Sequence, residues 1–168
     1  NRIYGLTKGQ YSPTSEQGKQ TKSSPLGSLE EPFNPISLAL SARATFVARS
    51  VDVDPKHLQE MLTAAAHHKG TALIEIYQNC NIFNDGAFAQ ITDRKVRQDR
   101  QVRMRAGEPA LFGKNEDRGL VFNAQKMRFD VADVAEVGLE AIYVHDPSNL
   151  AAAHLLAALS YPKSPTPI

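Results

Sequence analysis

The chain has 168 residues, 42 % of them hydrophobic and 22 % charged, which is the scale of one domain with a core of its own. Its net charge of +1 points to no polyanionic partner, and no apolar run approaches the ~20 residues that span a bilayer. The single cysteine, Cys80, excludes an internal disulfide and fits a reducing cytoplasm.

No methionine opens the chain, so Asn1 is expected to be an internal residue of a longer protein. Residues 1–33 read as a long loop punctuated by Gly5, Gly9, Gly18, Gly27, Pro13, Pro25 and Pro32. A loop of that length is usually functional or disordered. "NPISLALSAR" predicts a helix, with Asn34 as its cap and Pro35 at its first position. "ATFVARS" (Ala44–Ser50) predicts a buried strand. "DPKHLQEMLTAAAHHKG" repeats the helix signature: Asp54 caps, Pro55 follows, Leu58, Met61, Leu62 and Ala65 share one face, and Gly70 stops it. "TALIEIY" (Thr71–Tyr77) is a second short apolar strand. Beyond Phe88, "ITDRKVRQDRQVRMRAG" predicts a charged helical connector, "AIYVHD" a strand and "LAAAHLLAALS" a helix. Pro162, Pro165 and Pro167 predict a loose tail.

Strands separated by helices imply an α/β fold, a parallel sheet with helices on both faces. Ligands of such sheets gather beyond the carboxyl ends of the strands. Cys80, in "QNCNIFNDG" after the second strand, should lie on that rim, and the opening loop should face the same crevice.

On residue type alone, Asn1 is a surface asparagine, although its amide oxygen and a carbonyl two residues later could serve a hard cation such as Mg²⁺. "YGLTKGQYSPTS" is either an ordinary Gly/Ser turn region or an anion cradle, with Thr7, Lys8 and Gln10 as extra donors; it lacks the spacing of a Walker loop. Cys80 alone is more often a small buried residue than a cluster ligand, since a [4Fe–4S] cluster takes four thiolates. The histidines, His57, His67 and His68 among them, show no zinc spacing with Cys80. Arg94, Lys95, Arg97, Arg100, Arg103 and Arg105 lack interleaved aromatics, so a solvated helix face is favoured over nucleic-acid binding, with docking of an acidic protein in second place.

"NRIYGLTKGQYSPTS", "PFNPISLAL", "ATFVAR", "TALIEIYQNCNIFNDGAF" and "GEPALFG" together resemble the β subunits of 2-oxoacid:ferredoxin oxidoreductases, the bacterial 2-oxoglutarate type above all. The resemblance implies the C-terminal part of a thiamine diphosphate-binding fold, with residues 1–88 as its C-terminal half and 89–168 as a C-terminal extension. It implies that the Asn1 side chain and the Ile3 backbone carbonyl bind Mg²⁺. Tyr4, Gly5, Leu6, Thr7, Lys8, Gly9 and Gln10 would form the loop over the diphosphate and thiazolium. Cys80 would be the last of four cysteines on a [4Fe–4S] cluster, the other three and a G-D-G block lying upstream. The implied reaction converts 2-oxoglutarate, coenzyme A and oxidised ferredoxin into succinyl-coenzyme A, carbon dioxide and reduced ferredoxin, with an α subunit completing the site in the cytoplasm. Lys8 is assigned to the distal carboxylate of the oxoacid, against the rival that it only balances the diphosphate. The alternatives are the same chemistry on pyruvate or a branched 2-oxoacid, and a non-catalytic binding or assembly module.

Overall fold

The computed structural model describes residues 1–168. A short hairpin opens it, β1 (Ile3–Tyr4) pairing antiparallel with β2 (Gln10–Tyr11). Turns then lead to α1 (Pro35–Ser41), where the Asn34 side chain accepts the Ser37 N–H at 3.0 Å and Pro35 fills the first turn. Next come β3 (Phe46–Val51), α2 (Pro55–His67) and β4 (Ala72–Tyr77). Asp54 caps α2 by accepting the His57 N–H.

β3 and β4 pair in parallel, from Phe46 opposite Ala72 to Val51 opposite Tyr77. Side chains alternate across that ladder. Val47 and Leu73 pack with Ile36 and Leu40 of α1 on one face. On the other, the buried Ser50 hydroxyl meets His57 Nδ1 of α2 at 3.0 Å. The expected α/β arrangement, a parallel sheet covered on both faces, is therefore present. The observed strands begin one or two residues later than the sequence boundaries, because Ala44 N–H is used in closing the end of α1, on Ala39 O.

The second half departs from expectation. The charged connector is not one helix. It breaks into single turns, α3 (Ala89–Thr92) and α4 (Arg97–Arg100), and then β5 (Gln101–Val102). The Asp93 carboxylate takes the Lys95 N–H and interrupts the helix, while Gln101 and Val102 are drawn into pairing with β9 (Thr166–Pro167). The basic side chains scatter accordingly, and no continuous solvated face forms: Arg100 stacks on Tyr161, Arg103 pairs with Asp54, and Arg105 pairs with Glu108.

An antiparallel sheet that the sequence reading left unassigned comes after it: β6 (Leu111–Phe112), β7 (Arg118–Asn123) and β8 (Arg128–Asp133), in that order across the sheet. The short α5 (Val134–Val137) and a 3₁₀ turn at Leu139–Ala141 come next. "AIYVHD" is not a regular strand. It runs beside residues 107–110 through irregular backbone bonds, Ala110 N–H to Tyr143 O and His145 N–H to Glu108 O among them. Gly119 faces Ile142 so closely that any added Cβ would lie 2.7 Å from its Cδ1.

The Ala/Leu-rich helix forms as expected, as α6 (Leu150–Ala157). It is apolar on every face but that of His154 because it separates two cores. Ala152 and Leu156 face Val102, Phe112, Leu120 and Phe129, while Ala157 and Ala153 face α1. The tail is not loose. Pro165 to Ile168 are buried, and Ile168 enters a core with Val51, Tyr77, Phe88 and Ile91. No helix is long and apolar enough to cross a membrane.

His57 is held below the ordinary histidine value, first by burial and then by the Arg103 cation, with Asp54 and Glu60 opposing. The unfolded chain therefore binds more protons than the folded one below about pH 6.5, and folding stability should fall as pH drops through that range. His145, lowered by burial, acts in the same direction. Melting temperatures of wild type and His57→Gln should converge as pH falls from 7.5 to 5, because the variant lacks this proton uptake.

Candidate functional site

The site grows from the rim of the parallel sheet. Since β3 and β4 run the same way, the residues just beyond Val51 and Tyr77 emerge side by side. Asp52, just past β3, accepts the Asn79 N–H at 2.7 Å. Asn79 then braces the loop after β4, donating to Asp85 Oδ1 and accepting the Gly86 N–H, both at 2.9 Å. Inside that loop Cys80 and Asn84 form a bridge, with Asn84 N–H donating to Cys80 O at 2.9 Å. The thiol of Cys80 is held below the ordinary cysteine value, first by the backbone N–H of Phe83, then by that of Ile82 and, after a smaller opposing effect of burial, by that of Asn84. A loop that turns its amides toward a sulfur favours the thiolate, the form that ligates metals.

The opening segment docks on the same loop. Asn84 Nδ2 donates to the backbone carbonyl of Asn1 at 2.7 Å, across 83 residues of sequence. Arg2 takes a left-handed backbone conformation (φ 61°) and lays its guanidinium over the stacked rings of Tyr77 and Phe88, 5.5 and 5.1 Å from their centroids. Its Nη1 also donates to Glu16 Oε1 at 3.2 Å. The Arg2 carbonyl accepts from the hydroxyls of Ser12 and Ser15. These contacts meet the strain at Arg2 with a cation–π interaction worth about 0.5–2 kcal/mol and several hydrogen bonds.

From that anchor the hairpin projects. Ile3 is buried, and Gly9 is half-buried. Asn1, Tyr4, Gly5, Leu6, Thr7, Lys8 and Gln10 are all exposed. Asn1 Oδ1 accepts the Ile3 N–H at 2.9 Å, which fixes the amide and leaves its oxygen a further lone pair. Lys8 and Gly9 both have positive φ, 58° and 103°, and the turn closes through Lys8 N–H to Gly5 O and Gly9 N–H to Tyr4 O. The Phe83 ring lies beneath, so close that a Cβ on Gly9 would stand 3.4 Å from Cδ1.

A cavity of about 530 Å³ adjoins the hairpin beside Tyr4, Gln10 and Tyr11, but Glu30 and Glu31 on its wall disfavour an anionic occupant. The exposed hairpin turn carries no carboxylate and one lysine. No group of three or more His, Cys, Asp or Glu side chains converges anywhere.

The residues assigned to cofactor, metal and cluster, Asn1 to Gln10 and Cys80, thus sit on the opening segment or on the loop that holds it, whereas His57, His67, His68 and the basic run lie elsewhere. The sequence reading missed what joins them. Asn84, Phe83 and Arg2 all lie inside quoted motifs. Their spacing carried no signal, because each acts on a residue far away in sequence.

The family "Thiamine pyrophosphate enzyme, C-terminal TPP binding domain" matches residues 1–76, which include the opening hairpin and the two parallel strands up to Ile76. Among curated relatives, the 2-oxoglutarate oxidoreductase subunit KorB of Mycobacterium tuberculosis is 53 % identical over 146 residues, 87 % of this chain and 38 % of that protein. A 2-oxoacid:ferredoxin oxidoreductase subunit beta from a Sulfolobus species is 45 % identical over 96 residues, 57 % of this chain and 32 % of that protein. The solved 2-oxoglutarate:ferredoxin oxidoreductase of Magnetococcus marinus, with 2-oxoglutarate, coenzyme A and succinyl-CoA bound, superposes with a TM-score of 0.64 at 29 % identity, covering 99 % of this chain and 42 % of that one. Over most of its length the chain is similar to the β subunits of 2-oxoacid:ferredoxin oxidoreductases. It spans less than half the length of these relatives.

Gly9→Val should lift the hairpin off Phe83, since a β-branched residue is strained at φ 103° and its Cβ already crowds the ring. Trypsin cleavage after Lys8 should accelerate several-fold; an unchanged cleavage rate would mean that Phe83 does not hold the turn.

Proposed function

We propose that this chain forms part of the β subunit of a 2-oxoglutarate:ferredoxin oxidoreductase. In this reading the assembled cytoplasmic enzyme, completed by an α subunit, converts 2-oxoglutarate and coenzyme A into succinyl-coenzyme A and carbon dioxide and passes the electrons to ferredoxin. The observation that carries it is the docking of the Asn1–Gln10 segment on the Cys80 loop, at one rim of a parallel sheet. Residues 1–88 supply that rim and residues 89–168 the extension that packs against it.

Thiamine diphosphate, when bound, supplies a thiazolium that acts as electron sink for the decarboxylated oxoacid. The residues of this chain fit it. The exposed Asn1 Oδ1 is a hard oxygen donor of the kind Mg²⁺ takes, and the Ile3 carbonyl is its assigned companion. The turn from Tyr4 to Gln10 would hold the diphosphate, the Gly5 and Gly9 backbone, the Thr7 hydroxyl and the Gln10 amide offering donors to phosphate oxygens, and the exposed Leu6 would supply apolar cover to the thiazolium. Cys80 fits a [4Fe–4S] cluster because its loop amides favour thiolate. The remaining ligands come from outside this stretch, as Cys80 is its one cysteine.

Lys8 holds the distal carboxylate of the substrate. A charge-assisted hydrogen bond is worth about 1.5–3 kcal/mol, so Lys8→Ala in the full complex should lower kcat/KM for 2-oxoglutarate roughly tenfold or more and leave pyruvate much less affected. Equal losses on both oxoacids would assign Lys8 to the diphosphate instead. Cys80→Ala should abolish or alter the broad visible iron–sulfur absorbance of the complex; an unaltered spectrum and iron content would remove Cys80 from the ligand set.

A further inference from the structure

Asn84 is 6 % exposed and bonded on every side. Its Nδ2 donates to Asn1 O at 2.7 Å, its Oδ1 accepts from Lys19 Nζ at 2.6 Å, and its backbone N–H donates to Cys80 O at 2.9 Å. The orientation of the amide is set by chemistry. A lysine ammonium only donates and a carbonyl only accepts, so the oxygen must face Lys19 and the NH₂ must face Asn1. Lys19 is itself held, its backbone N–H bonding to Glu16 O at 3.0 Å and Ser28 Oγ at 3.2 Å, and Glu16 returns to Arg2. Three segments distant in sequence, 1–2, 16–19 and 80–84, therefore meet on one buried amide.

We infer that Asn84 is a positioning residue that couples the Asn1 segment to the Cys80 loop, with Lys19 as the group that orients it. This rests on the functional reading that places Mg²⁺ and thiamine diphosphate at the Asn1 hairpin and an iron–sulfur cluster at Cys80. The Asn1 carbonyl is one hydrogen bond away from a residue whose own amide N–H holds Cys80 O. A shift of either segment loads the other through the Asn84 side chain. Such coupling is reciprocal: occupancy of the hairpin alters the surroundings of Cys80, and changes at Cys80 alter affinity at the hairpin. Arg2 also anchors the opening segment, but its contacts are to Tyr77, Phe88 and Glu16, outside the Cys80 loop.

The test uses the full-length β subunit in its complex, stripped of thiamine diphosphate and then reloaded with the cofactor and Mg²⁺. The electron paramagnetic resonance line shape and midpoint potential of the cluster are measured in both states, with the cofactor dissociation constant taken from calorimetry. Wild type should show a cofactor-induced change in the cluster signature. Lys19→Met, a loop variant that leaves the core intact, should keep its iron content, lose at least half of that change and bind the cofactor several-fold more weakly, and Lys19→Arg should restore both. Asn84→Ala should lose the change almost entirely, with affinity lowered about tenfold, the size of one buried hydrogen bond. If Asn84→Ala fails to fold, the Lys19 pair decides. A wild-type cluster that ignores the cofactor, or a change of wild-type size in Lys19→Met, overturns the coupling. A wild-type complex with no cluster, or one whose cluster survives Cys80→Ala intact, overturns the functional reading instead, and iron content tells the two failures apart.

Discussion

The parallel pairing of Phe46–Val51 with Ala72–Tyr77 is the constraint on which the remaining architecture rests. Parallel strands end on the same rim, so the segments that leave them must share one space. Here Asp52 lies just past one strand and Asn79 just past the other, and they bond directly. Tyr77, the last residue of β4, stacks on Phe88 with centroids 4.5 Å apart, and Arg2 rides on the pair. Cys80, Asn84 and the opening hairpin are therefore consequences of one ladder register. A slip by one residue would send Tyr77 to the opposite face and remove the platform under Arg2.

A buried charge holds the two halves of the chain together. Arg49 of β3 is 8 % exposed in its side chain and pairs through Nε with Glu75 of β4 at 2.7 Å. Its Nη1 donates to Pro167 O, and its guanidinium lies over Tyr77. Removing both charges from water costs several kcal/mol per ion, so the pair adds little net stability against an apolar substitute. What it adds is position. The donors on Arg49 go to Glu75 and to the C-terminal strand, which ties Pro167 under the sheet and lets Ile168 complete the core of Val51, Phe88 and Ile91. Hydrophobic burial supplies the attraction, and the guanidinium chooses which strand receives it.

Local signals were legible in the sequence wherever a local interaction decides the structure. Asn34–Pro35 and Asp54–Pro55 marked helix starts because a capping side chain bonds to an amide three residues on. The apolar runs at 46–51 and 72–77 marked strands buried between helices. The connector misled because its composition suits a helix while its backbone is claimed by Thr166–Pro167, more than sixty residues away. The proline-rich tail misled for the same reason: proline lacks an amide donor but keeps its carbonyl, and Arg49 uses it. Residues 111–133 carried alternation too irregular to read, since Gly119 and Asp130 occupy positions that Ile142 and Asn123 make acceptable only after folding.

Residue order alone read the opening hairpin only as a glycine-punctuated loop, but it was enough for the helix caps, the two parallel strands and the family likeness carried by the blocks around Tyr4–Gln10 and Cys80. These depend on bonds within a few residues or on motif identity. The tertiary structure decided that Asn84 would join Asn1 to Cys80 and Lys19, that Arg2 would stack on Tyr77 and Phe88, and that Ile168 would be core rather than tail. Each of those contacts spans a long stretch of chain, and only a closed fold makes such distant groups neighbours.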